Sequence, residues 1–223
     1  MKYYTILLAL FLFASCSNKS YFERKASEKI HSFYGGDLKS SAGFESKNGK
    51  TINHIILNIE NSPLINNEIE FINYHAGNIA YLVYTNLDGY KTTYDIIKVN
   101  IKLNSNESRN FQFDTKELDN VHEISKILDK FNSAVIRKEY ASIAQWTDNT
   151  LLNEDFNIGE IFEKINTDFG NIKQIQFQGF QKNIDPKIGE FYEFKQVIQL
   201  DNNNVTMLIS IAKKNSLIVG FHI

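Results

Sequence analysis

One cysteine, five histidines and scattered acidic residues are the groups in this 223-residue chain suited to covalent, metal or proton chemistry. Cys16 is the only thiol, which excludes an intrachain disulfide and any multi-cysteine zinc site. The histidines stand at positions 31, 54, 75, 122 and 222, and no two share the i, i+4 spacing that sets two imidazoles on one helix face. His31 and His122 lie among Lys and Glu on helical stretches and read as solvated, and His222 sits opposite Leu217, Val219 and Phe221 on a strand. Gly35-Gly36 lacks the lysine and spacing of a phosphate loop. No serine has the surroundings of a nucleophile elbow, and Asp185 to Glu190 holds too few ordered oxygen ligands for a calcium loop. The expectation is a protein without metal, cofactor or catalytic activity.

The position of Cys16 gives it a role. Met1 to Thr5 carries one positive charge and runs into the apolar stretch Ile6 to Ala14. That stretch is too short to span a bilayer and suits the apolar region of a secretory signal peptide. Phe13-Ala14-Ser15-Cys16 then resembles a bacterial lipobox, although Phe13 stands where an aliphatic residue is usual. The resemblance implies cleavage before Cys16, a thioether link to diacylglycerol and palmitate-type acylation. A thiolate is the nucleophile that can accept a lipid near neutral pH, and two or more acyl chains hold a protein stably on a membrane. The other reading is a plain signal peptide cut nearby, which leaves Cys16 a free thiol in an oxidising compartment. On the lipobox reading residues 1–15 are the signal peptide and 16–20 a lipidated tether. The protein is then exported and anchored to a bacterial membrane, the outer one if the source is Gram-negative.

These features must be carried by a globular remainder. Hydrophobic residues make up 43% and charged residues 22%, with only two prolines, an ordinary composition for one or two domains. The 24 Lys and Arg nearly balance the 26 Asp and Glu, which argues against a nucleic-acid partner. Phe22, Ala26, Ile30 and Phe33 mark a helix from Tyr21 to Tyr34 that Gly35-Gly36 ends. Asn48-Gly49 reads as a tight hairpin turn leading into a strand from Thr51 to Glu60. After Ser62-Pro63, Ile69, Ile72, Ala76, Ile79 and Val83 keep the rhythm of one amphipathic helix, followed by strands at Tyr94 to Leu103 and Phe111 to Phe113. A boundary near Thr115 to Asn120 separates an N-terminal α+β unit, 21–115, from a second one, 116–223.

In the second unit a helix is predicted over Asp119 to Ala144 and a shorter one from an Asn157 N-cap, with Glu160 as its capping partner, through Phe169. Four strands follow: Ile172 to Gln181, Glu190 to Leu200, Val205 to Lys213 and Ser216 to Ile223. Their alternation buries one face and wets the other, where Phe177 and Ile218 would support a homodimer. The fold class is α+β, with two helices on the concave face of a curved four-stranded antiparallel sheet.

This half resembles the nuclear transport factor 2-like, or cystatin-like, superfamily, particularly its small secreted bacterial members. The resemblance rests on Phe131-Asn132-Ser133-Ala134-Val135, Glu139-Tyr140, Trp146, Phe169-Gly170-Asn171-Ile172 and the terminal Ile218 to Ile223. It implies a cone between helices and sheet. Tyr140, Trp146, Tyr192 and Phe194 would line it as a ligand pocket, and Tyr140, Trp146, Asp148 and Tyr192 would be the candidates for acid-base groups. The residues read equally as core aromatics and, for Asp148, a turn. The expected function is a non-catalytic binding or scaffolding lipoprotein with an envelope protein as partner. The alternative is binding or turnover of a small apolar molecule in the cone.

Overall fold

The computed structural model describes residues 24–152 and 157–223. The signal segment, Cys16, the 16–20 tether and Phe22 lie outside the described residues. The chain forms two compact units that divide at Leu118 and Asp119, except that Asn73–Asn78 group with the second.

In the first unit helix α1 occupies residues 24–34, with Ala26, Ile30 and Tyr34 buried. Its sheet runs β1 (Asp37–Lys47), β2 (Lys50–Glu60), β3 (Ile96–Lys102) and β4 (Ser108–Asp114), in that order. The outer pairs are antiparallel and β2–β3 is parallel. Asn48 and Gly49, with φ of 53° and 75°, make the left-handed two-residue turn whose twist matches its strands. A parallel pair needs a crossover, and this one contains α2 (Pro63–Asn67) and α3 (Ile72–Asn86). The single helix expected through Ile69 is therefore broken. Glu68 leaves helical geometry at φ −123°, ψ 46°, a 3-10 turn covers Ile69–Phe71, and Ile69 is exposed. Ser62 starts α2 by accepting the Ile65 N–H at 3.4 Å, while its hydroxyl donates to the Tyr34 carbonyl at 2.7 Å. The core is Ile55, Leu57 and Ile59 of β2, Ile97, Val99 and Ile101 of β3, and Ile79, Ala80, Val83 and Tyr84 of α3.

Helix α4 is Thr115–Ile136, so it begins earlier than the apolar spacing predicts and ends well short of Ala144. Its stop is a left-handed cap built on Lys138, at φ 61°, instead of glycine. The Lys138 N–H bonds the Val135 carbonyl at 3.1 Å and the Glu139 N–H bonds Ala134 at 2.8 Å, which satisfies the last carbonyls. Tyr140–Trp146 continues as a 3-10 segment. Helix α5 (Ile158–Phe169) starts at Asn157, whose side chain accepts from Gly159 and Glu160 N–H at 3.1 and 3.4 Å and donates to the Glu160 carboxylate at 2.8 Å.

The second sheet is wholly antiparallel in the order β5 (Ile172–Asp185), β6 (Gly189–Leu200), β7 (Asn204–Ala212) and β8 (Ile218–His222). Phe131 of α4, Phe162 of α5 and Phe221 of β8 pack at ring separations of 5.7 to 6.1 Å, which sets both helices on the sheet face carrying Phe194 and Ile209. Two register shifts remove Phe177 and Ile218 from the face expected to be wet. The shift between Phe177 and Gly179 turns Phe177 inward, 6.2 Å from the Phe194 ring. That beside Ser210 and Ile211 pairs Ile218 with Ile211 and buries it to 1%. An extra residue in a strand reverses its alternation, so Phe177 and Ile218 form no outward apolar patch.

Candidate functional site

The four residues expected to line a cone do not share a cavity. Tyr192 and Phe194 lie in adjacent inward positions of β6, both at 0% exposure. Their rings stand 6.1 and 6.3 Å from Phe180 and 6.3 Å from each other. A side chain without accessible surface borders no space that water can enter, so aromatic packing fills the interior at this point. Tyr140 stacks on Phe162 at 6.2 Å and 11°, and lines an open groove of about 500 Å³ with Asn157, Glu160 and Glu163. Burial, then the nearby Glu163 charge, raises its phenol above the ordinary value. Trp146 lines a different groove, of about 340 Å³, with Asp129, Arg137 and Glu139. Asp148 caps a turn. Its carboxylate accepts the Thr150 hydroxyl at 2.6 Å and backbone N–H at 3.1 Å, bonds that hold its pKa below the usual carboxylate range.

The polar cluster that the structure does assemble is one the linear sequence conceals. The Tyr74 hydroxyl of α3 donates to Glu193 of β6. Gln181, directly opposite Glu193 in the β5–β6 register, donates to the Tyr74 oxygen and to the same carboxylate oxygen, each at 2.9 Å. Asn73 donates to the Gln181 side-chain oxygen at 3.3 Å, and the Ser210 hydroxyl reaches the other Glu193 oxygen at 3.5 Å. Burial above all, then the hydrogen bond to Glu193, pushes the Tyr74 phenol well above 10.0. A phenol held protonated is a hydrogen-bond donor, and neither a base nor a nucleophile at neutral pH. The groups satisfy one another, so the cluster clamps the Asn73–Asn78 part of α3 to the sheet. Its only sequence signal is the β5–β6 alternation that sets Gln181 and Glu193 on one face.

Among the described residues no group of three or more His, Cys, Asp or Glu is placed to hold a metal ion, and no helix is long and apolar enough to cross a membrane. In the first unit β1 is, among the described residues, an edge strand of 11 residues with nine exposed, including Phe44 at 76%. No family model, curated protein or solved structure matches the chain.

Proposed function

We propose that this chain is a lipid-anchored bacterial envelope protein that acts by binding or scaffolding an envelope component, without catalysis. The observation that carries the binding reading is the aromatic filling of the second unit. Tyr192 and Phe194 occupy, with no accessible surface, the space in which a small apolar ligand would be held or turned over. The polar groups nearest to a constellation, Tyr74, Gln181 and Glu193, are engaged with one another. The anchor rests on the apolar run from Ile6 and on the small residues before Cys16.

The test is metabolic labelling of the full chain with palmitate in a bacterial host, followed by membrane fractionation and cross-linking. Label on the protein, lost together with membrane association in Cys16→Ser, is the expected result. An unlabelled protein, or a Cys16→Ser chain that stays on the membrane, removes the anchor. A cross-linked envelope protein supports scaffolding, and stoichiometric recovery of a small apolar molecule from the purified protein removes that reading in favour of a ligand carrier.

A further inference from the structure

Two of the four charged residues of β1 face like charges in the strand it pairs with, while Lys39 and Glu45 lie opposite Asn58 and Ile52. In the β1–β2 hairpin Asp37 lies opposite Glu60 and Lys47 opposite Lys50, and like charges in directly opposed positions destabilise a sheet. Glu60 turns to Lys102 at 3.6 Å, and Asp37 takes an Asn61 side-chain N–H at 2.7 Å. The other edge of β1 has no strand against it among the described residues.

Its backbone is oriented for one. Asn53 is opposite Phe44, yet the Asn53 N–H and carbonyl are both directed to Asp95, at 2.8 Å each, on the side away from β1. Phe44 and Asn53 are therefore a non-hydrogen-bonded pair, and by strict alternation the N–H and carbonyl groups of Leu38, Ser40, Ala42, Phe44 and Ser46 point to the open edge. Reversed and laid against itself about Ala42, this strand sets Ala42 against Ala42, Ser40 against Phe44 and Leu38 against Ser46. Those are the residues with free backbone groups. The intervening positions, where side chains approach most closely, then pair Lys39 with Glu45, Asp37 with Lys47 and Ser41 with Gly43, so that each of the four charged residues meets an opposite charge, Glu45 in addition to the Lys98 it already reaches at 3.0 Å. Small residues, Ser40 to Gly43, occupy the centre, where they leave room for Phe44.

We propose that β1 pairs antiparallel with β1 of a second copy of this chain, about a two-fold axis at Ala42, joining two four-stranded sheets into one. A two-fold contact must be self-complementary, and the sequence Asp37 to Lys47 is so in charge, size and hydrogen-bonding direction. The axis also covers Phe44, exposed at 76% in the single chain.

Light scattering of the full chain, in detergent micelles where it carries lipid, over a range of protein concentrations tests this. A dimer is expected. Asp37→Lys and Lys47→Asp should each weaken it about tenfold or more, because each sets like charges together twice across the axis, and the two combined should restore it. Ala42→Pro should give a folded monomer, since the lost N–H serves only the open edge; circular dichroism checks the fold. A monomer at every concentration overturns the proposal. So does a dimer indifferent to Ala42→Pro, or charge reversals that the combined variant fails to rescue.

Discussion

Gly77 of α3 and Gly179 of β5 are matched across one contact: each lacks the side-chain carbon that would strike the other's segment. A Cβ on Gly77 would stand 2.2 Å from the Phe180 carbonyl oxygen, and one on Gly179 would stand 2.0 Å from the Tyr74 carbonyl oxygen. Gly179 also has φ of 141°, a conformation that L side chains rarely adopt. Backbone thus meets backbone beside the Tyr74–Glu193 bond.

Both glycines should be intolerant of alanine. We expect Gly77→Ala and Gly179→Ala each to cost more than about 2 kcal/mol, at the upper end for a single substitution, because the obstructing atoms are main chain. Gly49→Ala is the comparison: its φ is 75° and no atom lies within 4 Å. It should cost only about 1–2 kcal/mol, from backbone strain alone. Urea unfolding of the three variants checks the order, and equal losses would show that close approach is not what selects glycine.

Tyr74 and Glu193 should be energetically coupled. Tyr74→Phe removes the donor and Glu193→Ala the acceptor of the same bond, so a double-mutant cycle should return a coupling of about 1–3 kcal/mol. The raised phenol pKa gives a sign at high pH. Folded Tyr74 keeps its proton above 10.0, where the unfolded phenol loses it, so this stability is present below pH 10 and is lost as pH rises beyond. Tyr74→Phe should abolish that part of the alkaline loss in unfolding measurements.

Acid acts in the opposite direction at Glu190. Hydrogen bonds from Lys213 and Lys182, at 2.8 and 2.9 Å, lower its carboxyl from 4.5 to about 2. Its contribution is complete above pH 4.5 and disappears as pH falls toward 2. The carboxyl resonance of Glu190 should titrate near 2 and move upward with added salt, because the group is exposed and screened. A midpoint near 4.5 at low salt would dismiss the ion pairs.

Gln196 is a polar residue with no polar company. It is at 0% exposure, opposite Met207 and Phe177, and neither its amide nitrogen nor its carbonyl oxygen has a hydrogen-bond partner. A buried amide that forfeits its water bonds is costly, so Gln196→Met should raise stability by about 1 kcal/mol or more. A lower urea midpoint in that variant would count against this account.

What the sequence determined by itself are the features written in a few neighbouring residues. Asn48-Gly49 specifies its hairpin, Asn157 with Glu160 starts α5, Gly170 ends it, and the alternation of Met207, Ile209 and Ile211 sets the buried face of β7. The tertiary structure decided what depends on register and on partners far along the chain. Lys138 caps α4 in a left-handed conformation that its residue type does not announce, so the apolar spacing overran the helix. One extra residue beside Gly179, and another in β8, turned Phe177 and Ile218 inward, because alternation predicts a face only while the register is unbroken. Tyr74 and Glu193 lie 119 positions apart, and no local pattern couples them. Nor does any local pattern show that Tyr192 and Phe194 are closed in by packing instead of lining a pocket, since whether aromatics border a cavity or close it depends on what packs against them.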